Sequence, residues 1–205
     1  MADDVKLANP AVLGLTCFGI TTVMLNLHNV GIIKMDPTIL GLGIFVGGLA
    51  QIIAGIMEYR KGNTFGTTAF IGYGAFWISL AFFVMSGSYK FMAVAKEAGF
   101  QVGAKGLAWY LVLWGIFTLF MTISTFKVNR VLQYVFVSLT VLFFMLAIGA
   151  GWAISGVTKA AGVIGLTTGL AAMYLAQAEL VNEMYGKTVL PIWPMAVNYK
   201  GNEDL

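Results

Sequence analysis

The chain is short of charge. Of its 205 residues only 10% are Asp, Glu, Lys or Arg, while 59% are hydrophobic; a soluble domain carries about 25% charged residues. That shortage argues against a water-facing surface of ordinary size. Cysteine is nearly absent: Cys17 stands alone, so no internal disulfide can form, and a lone thiol in an apolar run reads as a small inert residue. His28 is the one histidine, and with so few soft donors a metal site has no ligand set. No G-x-S-x-G occurs, and no long apolar run holds the lysine that a retinal Schiff base would need. The enzyme class is therefore set aside, and neither cofactor nor metal is expected.

What is present is six apolar stretches, at 11–33, 38–57, 67–85, 107–126, 131–154 and 160–181. A hydrocarbon core ~30 Å thick takes about 20 helical residues to cross. The expected fold is an all-α integral membrane protein of six transmembrane helices. Residues 1–10 form an N-terminal segment, 11–181 the membrane domain and 182–205 a C-terminal tail. The first stretch is too long for a signal-peptide h-region and lacks a basic n-region and an A-x-A site, so it is expected to be retained. Asn9-Pro10 and Asp36-Pro37 mark helix starts, a side-chain cap followed by a proline where no donor is needed.

Basic residues here read as topology signals, not as a nucleic-acid surface. Six spans put both termini on one side, with Lys6, Arg60, Lys61, Lys127, Arg130, Lys187 and Lys200; Lys34, Lys90, Lys96, Lys105 and Lys159 fall on the other. The short loops after the second and fourth spans carry two bases each, which assigns the termini to the cytoplasm. Trp109, Tyr110 and Trp152 suit the opposite interface, whereas Trp77 and Trp114 lie mid-span and face lipid, a neighbouring helix or a pore. The long connection 86–106 reads equally as an amphipathic surface helix or an irregular loop. The span exits at 58–64 and 183–188 both run acid, aromatic, base, glycine and threonine, a weak sign of repetition. Gly43/Gly47 and Gly165/Gly169, each four apart, allow close helix approach.

Function must then reside in the few polar groups kept within the spans. The first span is densest, with Thr16, Thr21, Thr22, Asn26, His28 and Asn29. Phe18, Thr22 and Asn26 recur every four residues and share a face. Gln51 and Glu58 share a face of the second span; Tyr73 and Trp77 stand on the third, Thr118, Thr122 and Thr125 on the fourth, and Gln177 and Glu179 on the sixth. Amides, hydroxyls and aromatics suit a path for a small polar or monoanionic solute that sheds water without being held tightly. Taken singly, each reads better as glue between helices or as a bond to its own backbone. Glu58, beside Arg60 and Lys61, reads as an acid that snorkels to the interface; Glu179, a turn inside the end of the last stretch, is the stronger functional acid.

A resemblance sharpens this. Asn9-Pro10-Ala11-Val12-Leu13-Gly14-Leu15 is similar to the N-P-A-P-L-G-L signature of the acetate uptake transporter family, with Val12 in place of the second proline. The likeness continues through 26–31, 58–66, 113–120, 138–143 and 188–191, and is weakest at 86–106. The resemblance implies a six-helix protomer in a hexamer, each protomer with its own pathway for acetate or other short carboxylates such as succinate, as a channel or a proton-coupled carrier in the plasma membrane. It implies a hydrophobic constriction at Phe18, Tyr73 and Leu139, with Ala172 beside it. Thr22, Asn26, Gln51, Trp77 and Thr118 are then expected along the substrate pathway, and Glu179 is the candidate for proton coupling. Leu139→Ala or Ala172→Gly is expected to widen acceptance toward larger acids. The alternative is a channel for small neutral solutes such as urea or short amides; a structural or sensory membrane protein is a third reading.

Overall fold

The computed structural model describes residues 7–88 and 103–195, and among these six helices are long and apolar enough to cross a membrane. They are α1 (Pro10–Asn29), α2 (Pro37–Arg60), α3 (Thr64–Ser88), α4 (Ala104–Thr125), α5 (Arg130–Gly151) and α6 (Ser155–Tyr185). The protein is thus a multi-pass helical membrane protein. Most of the 86–106 connection lies outside the described residues.

Both proline-marked starts form as their chemistry dictates. The Asn9 side chain accepts from Ala11 N at 3.3 Å, and Asp36 Oδ1 accepts from Thr38 N at 2.9 Å. Asn129 caps α5 by accepting from Leu132 N at 2.8 Å. Gly62 and Gly186, which follow α2 and α6, take positive φ values of 76° and 63°. There glycine avoids the clash a Cβ would suffer in the left-handed region. The two exits differ, however, in that Glu58 is buried and Glu183 exposed.

Two departures from the expected spans matter for the site. α6 has 31 residues, running from five before the apolar stretch to four beyond it, so Glu179 stands well inside an ordered helix. In α2, residues Leu42–Ala50 form a π-helical segment between α-helical Pro37–Gly41 and Gln51–Arg60. Such wide turns are rare and concentrate at functional positions. Glycines in this segment let the neighbouring helices approach: a Cβ on Gly47 would fall 2.8 Å from Thr21 Oγ1, and one on Gly48 2.6 Å from Ile78 Cγ1.

The helices close into a ring in which each neighbours the next and α6 returns to α1. The α1–α6 seam is the tightest. A Cβ on Gly19 would meet Met173 Cγ at 2.4 Å, and one on Gly165 would meet Asn26 Cγ at 2.1 Å. Only a missing side chain permits that approach, as small-residue packing in lipid requires. Between α3 and α4 the opposite holds: contact is made by Phe76, Phe83 and Tyr73 against Tyr110, Trp114 and Phe117, at ring separations of 5.1 to 6.1 Å.

Residues that follow α6 are tied back. Asn182 Oδ1 accepts from Val189 N and Leu190 N at 2.7 and 2.9 Å, and Tyr174 donates to Pro191 O. Arg130 N donates to Trp193 O, and Met195 N to Val128 O, so this strap lies along the α4–α5 turn.

Candidate functional site

Two cavities enter the bundle from opposite ends. The first, about 320 Å³, opens among Asn9, Lys61, Asn63 and Glu179 and runs inward to Phe18, Tyr73 and Leu139. The second, about 250 Å³, opens among His28, Asn29, Met35 and Thr158 and runs inward to Leu25, Phe76, Trp77 and Leu146. They share no lining residue. Along α1 the gap runs from 18 to 25 and along α5 from 139 to 146, about 10 Å of helix. On α3 it is a single turn, from Tyr73 to Phe76.

Packed rings fill that gap. Tyr73 lies 5.7 Å from Phe18, 5.6 Å from Phe117 and 6.0 Å from Phe136, centroid to centroid. Phe76 meets Phe143 at 5.1 Å and Trp114 at 5.3 Å. Phe18, Tyr73 and Leu139 are 5%, 3% and 3% exposed, so the layer between the cavities is closely packed and mainly apolar. An apolar narrowing of this kind resists ions that keep their water.

Five buried side-chain polar atoms lack a hydrogen-bond partner among the described residues: Thr22 Oγ1, both amide atoms of Gln51, Glu58 Oε1 and Trp77 Nε1. A buried polar group left unpaired costs about 1–3 kcal/mol, so such groups in a native structure call for a reason. Gln51 borders the first cavity and Trp77 the second. Gln51 is the first residue after the π-helical segment and is 1% exposed.

A charged network rims the first cavity. Lys61 Nζ donates to Asn9 Oδ1 at 3.1 Å, and Asn9 Nδ2 donates to Glu179 Oε2 at 2.9 Å. The amide of Asn9 thus stands between a cation and a carboxylate while also capping α1, which fixes which way it faces. One turn away, Glu58 Oε2 accepts from Asn63 Nδ2 at 2.8 Å, and Asn63 Oδ1 accepts from Gly66 N. A Cβ on Gly66 would come within 2.9 Å of Glu58 Cγ.

Several expected positions change meaning. Glu58 does not snorkel: it is fully buried, because Asn63 and Gly66 fold the α2–α3 turn over its carboxylate. Tyr110 turns inward, to within 2.6 Å of Ser79 Oγ, instead of resting at the interface; Trp109 and Trp152 are exposed. Gln177 faces outward. Asn26, Thr22, Thr118 and Ala172 are buried but border neither cavity. Asn26 sits in the notch over Gly165, donating to Thr22 O at 2.8 Å and accepting from Asn29. Thr118 bonds the Tyr73 hydroxyl at 2.9 Å. His28 borders the second cavity with Nδ1 3.2 Å from Ile33 O. Asn9 and Asn63 gave no functional sign as single residues: Asn9 reads as a helix cap, and Asn63 only as part of the 58–66 likeness.

Fold and cavities together define a polytopic α-helical membrane protein hollowed from both ends around a closely packed aromatic layer. The chain belongs to the GPR1/FUN34/yaaH family, whose pattern it matches over residues 2–197. It is 53% identical over 189 residues to the succinate-acetate/proton symporter SatP of Escherichia coli (strain K12), covering 92% of this chain and 97% of that one. It is 34% identical to acetate permease A of Emericella nidulans, over 91% of this chain and 66% of the permease. Among solved structures, the bacterial acetate channel SatP superposes with a TM-score of 0.84 at 53% identity, covering 91% of this chain and 99% of that one. These relatives carry the names of transport proteins, not enzymes.

Proposed function

We propose that the protein carries acetate and other short carboxylates, succinate among them, across the plasma membrane through the two cavities and the layer between them. The observation that carries this reading is the pair of cavities ending on opposite sides of Phe18, Tyr73 and Leu139. A two-carbon acid has a methyl end suited to a ring-lined gap and a carboxylate that needs donors on either side of it. The unpaired Gln51 amide before the gap and the Trp77 N–H after it are such donors. Glu179, held by Asn9 at the mouth of the first cavity, is the acid for proton coupling if uptake proves to be driven. The charged rim of Lys61 and Glu179 faces the cytoplasm, where the loop bases assign both termini.

Assembly as a hexamer fits the family resemblance and the outward apolar face of α4, where Leu113, Phe120 and Ile123 are all more than 60% exposed. Light scattering of the detergent-solubilised protein tests it. The function itself is tested by labelled-acetate flux into proteoliposomes of pure protein, with and without an imposed pH gradient. Downhill flux indifferent to the gradient identifies a channel; accumulation driven only by inward protons identifies a symporter. Passage of urea without acetate would refute the proposal in favour of a neutral-solute channel.

A further inference from the structure

A phenol can donate a hydrogen bond to a passing carboxylate, but the surroundings of Tyr73 assign its proton elsewhere. Its hydroxyl lies 2.9 Å from Thr118 Oγ1, and Thr118 Oγ1 lies 2.7 Å from the Trp114 carbonyl oxygen. A carbonyl only accepts, and a threonine hydroxyl has a single proton to give. That proton goes to Trp114 O, so the Tyr73–Thr118 bond is made with the Tyr73 proton. Both residues are buried, and Tyr73 is ringed by Phe18, Trp114, Phe117 and Phe136, none of which offers a competing acceptor.

From this we infer that Thr118 is a positioning residue that sets transport rate by holding the Tyr73 phenol proton out of the passage. The narrowest layer then presents the Tyr73 ring but not its proton, and a carboxylate passes Tyr73 without being caught there. This rests on the reading that acetate crosses at Phe18, Tyr73 and Leu139. Removing the Thr118 acceptor frees a donor in a buried site. A hydrogen bond to a charged group made there would hold the anion about tenfold more tightly, and slow its release in proportion.

The test is acetate flux through purified protein in proteoliposomes. Thr118→Val keeps the shape and removes the acceptor; Thr118→Ala serves in its place should the valine variant fail to fold. Expected are a half-saturation concentration and a maximal flux that both fall about tenfold. Adding Tyr73→Phe in the same background, which deletes the freed proton, should restore both, and Thr118→Ser should retain parental behaviour. Loss of flux that Tyr73→Phe does not restore, or kinetics untouched by loss of the Thr118 hydroxyl, would overturn the inference. Leu139→Ala, run in parallel, separates this from failure of the underlying reading: unaltered substrate selectivity there would remove the crossing point itself.

Discussion

Leu139→Ala is the sharpest probe of the crossing point. Leu139 is 3% exposed, on α5, at the inner limit of the first cavity and on the same layer as Phe18 and Tyr73. Truncation removes three carbons from the layer proposed as the crossing point. One methylene of difference in an apolar pocket is worth about 1–3 kcal/mol of discrimination. If the leucine is what rejects the longer acid, the ratio of propionate to acetate flux should rise about tenfold or more. Stability should fall as well, by about 2–5 kcal/mol for a buried Leu→Ala change, toward the low end because one flank already borders open space. Both quantities are measurable on one preparation, by competition between labelled acetate and unlabelled acids in proteoliposomes and by thermal unfolding in detergent. A folded variant that conducts acetate with its preference unaltered would refute the assignment of the narrow layer.

Other outcomes follow from single contacts. Gln51→Leu should lower acetate flux severalfold yet leave thermal stability equal or higher, since burying an unpaired amide costs about 1–3 kcal/mol and no protein bond is lost; a matching loss of stability would mark Gln51 as glue. Gly165→Ala should destabilise by about 1–3 kcal/mol, because the new Cβ overlaps Asn26; an unshifted melting temperature would contradict the seam. Asn9→Ala should cost about 1 kcal/mol as a lost cap and, by releasing Glu179 and Lys61, alter the pH profile of flux, which pH-jump assays would register. The Asp36 carboxyl is held below its ordinary value, chiefly by the Thr38 hydroxyl and also by the Thr38 and Ile39 amides. A depressed folded value stabilises above the unfolded carboxylate range near ~4 and fades as pH falls through the lower folded value. The melting-temperature gap between the parent and Asp36→Asn should therefore close on acidification from neutral pH; a constant gap would argue against the cap.

How much of this the sequence disclosed depended on the kind of interaction. Spans and helix starts were legible because solvent transfer and capping act on local composition. Which helix a polar face meets was not, since periodicity places Asn26 on a face without saying whether cavity or helix lies opposite. The glycine at 165 held that answer only in combination with 26. Glu58 misled for a related reason: a charged neighbourhood in sequence suggested the interface, while five residues later Asn63 supplied a partner that let the acid stay inside. The π-helical stretch leaves no hydropathy signal, because shifting one residue per turn does not change which residues are apolar. Family resemblance located Phe18, Tyr73 and Leu139 on three helices that no pairwise spacing would have joined.

The contrast between the two kinds of seam has a mechanical consequence. Where α1 meets α6, backbone lies on backbone, and Asn26 and Met173 are keyed into glycine notches. Sliding there would need every key to leave its slot at once, so those helices behave as a single stiff beam. Where α3 meets α4, the backbones stand apart and contact runs through side chains: packed rings, with hydrogen bonds between Tyr73 and Thr118 and from Tyr110 to Phe76 O. Under the proposed crossing, widening would act more readily on this side-chain seam than on the backbone seam of α1 and α6, and the side-chain seam carries Tyr73 on one side and Thr118 on the other.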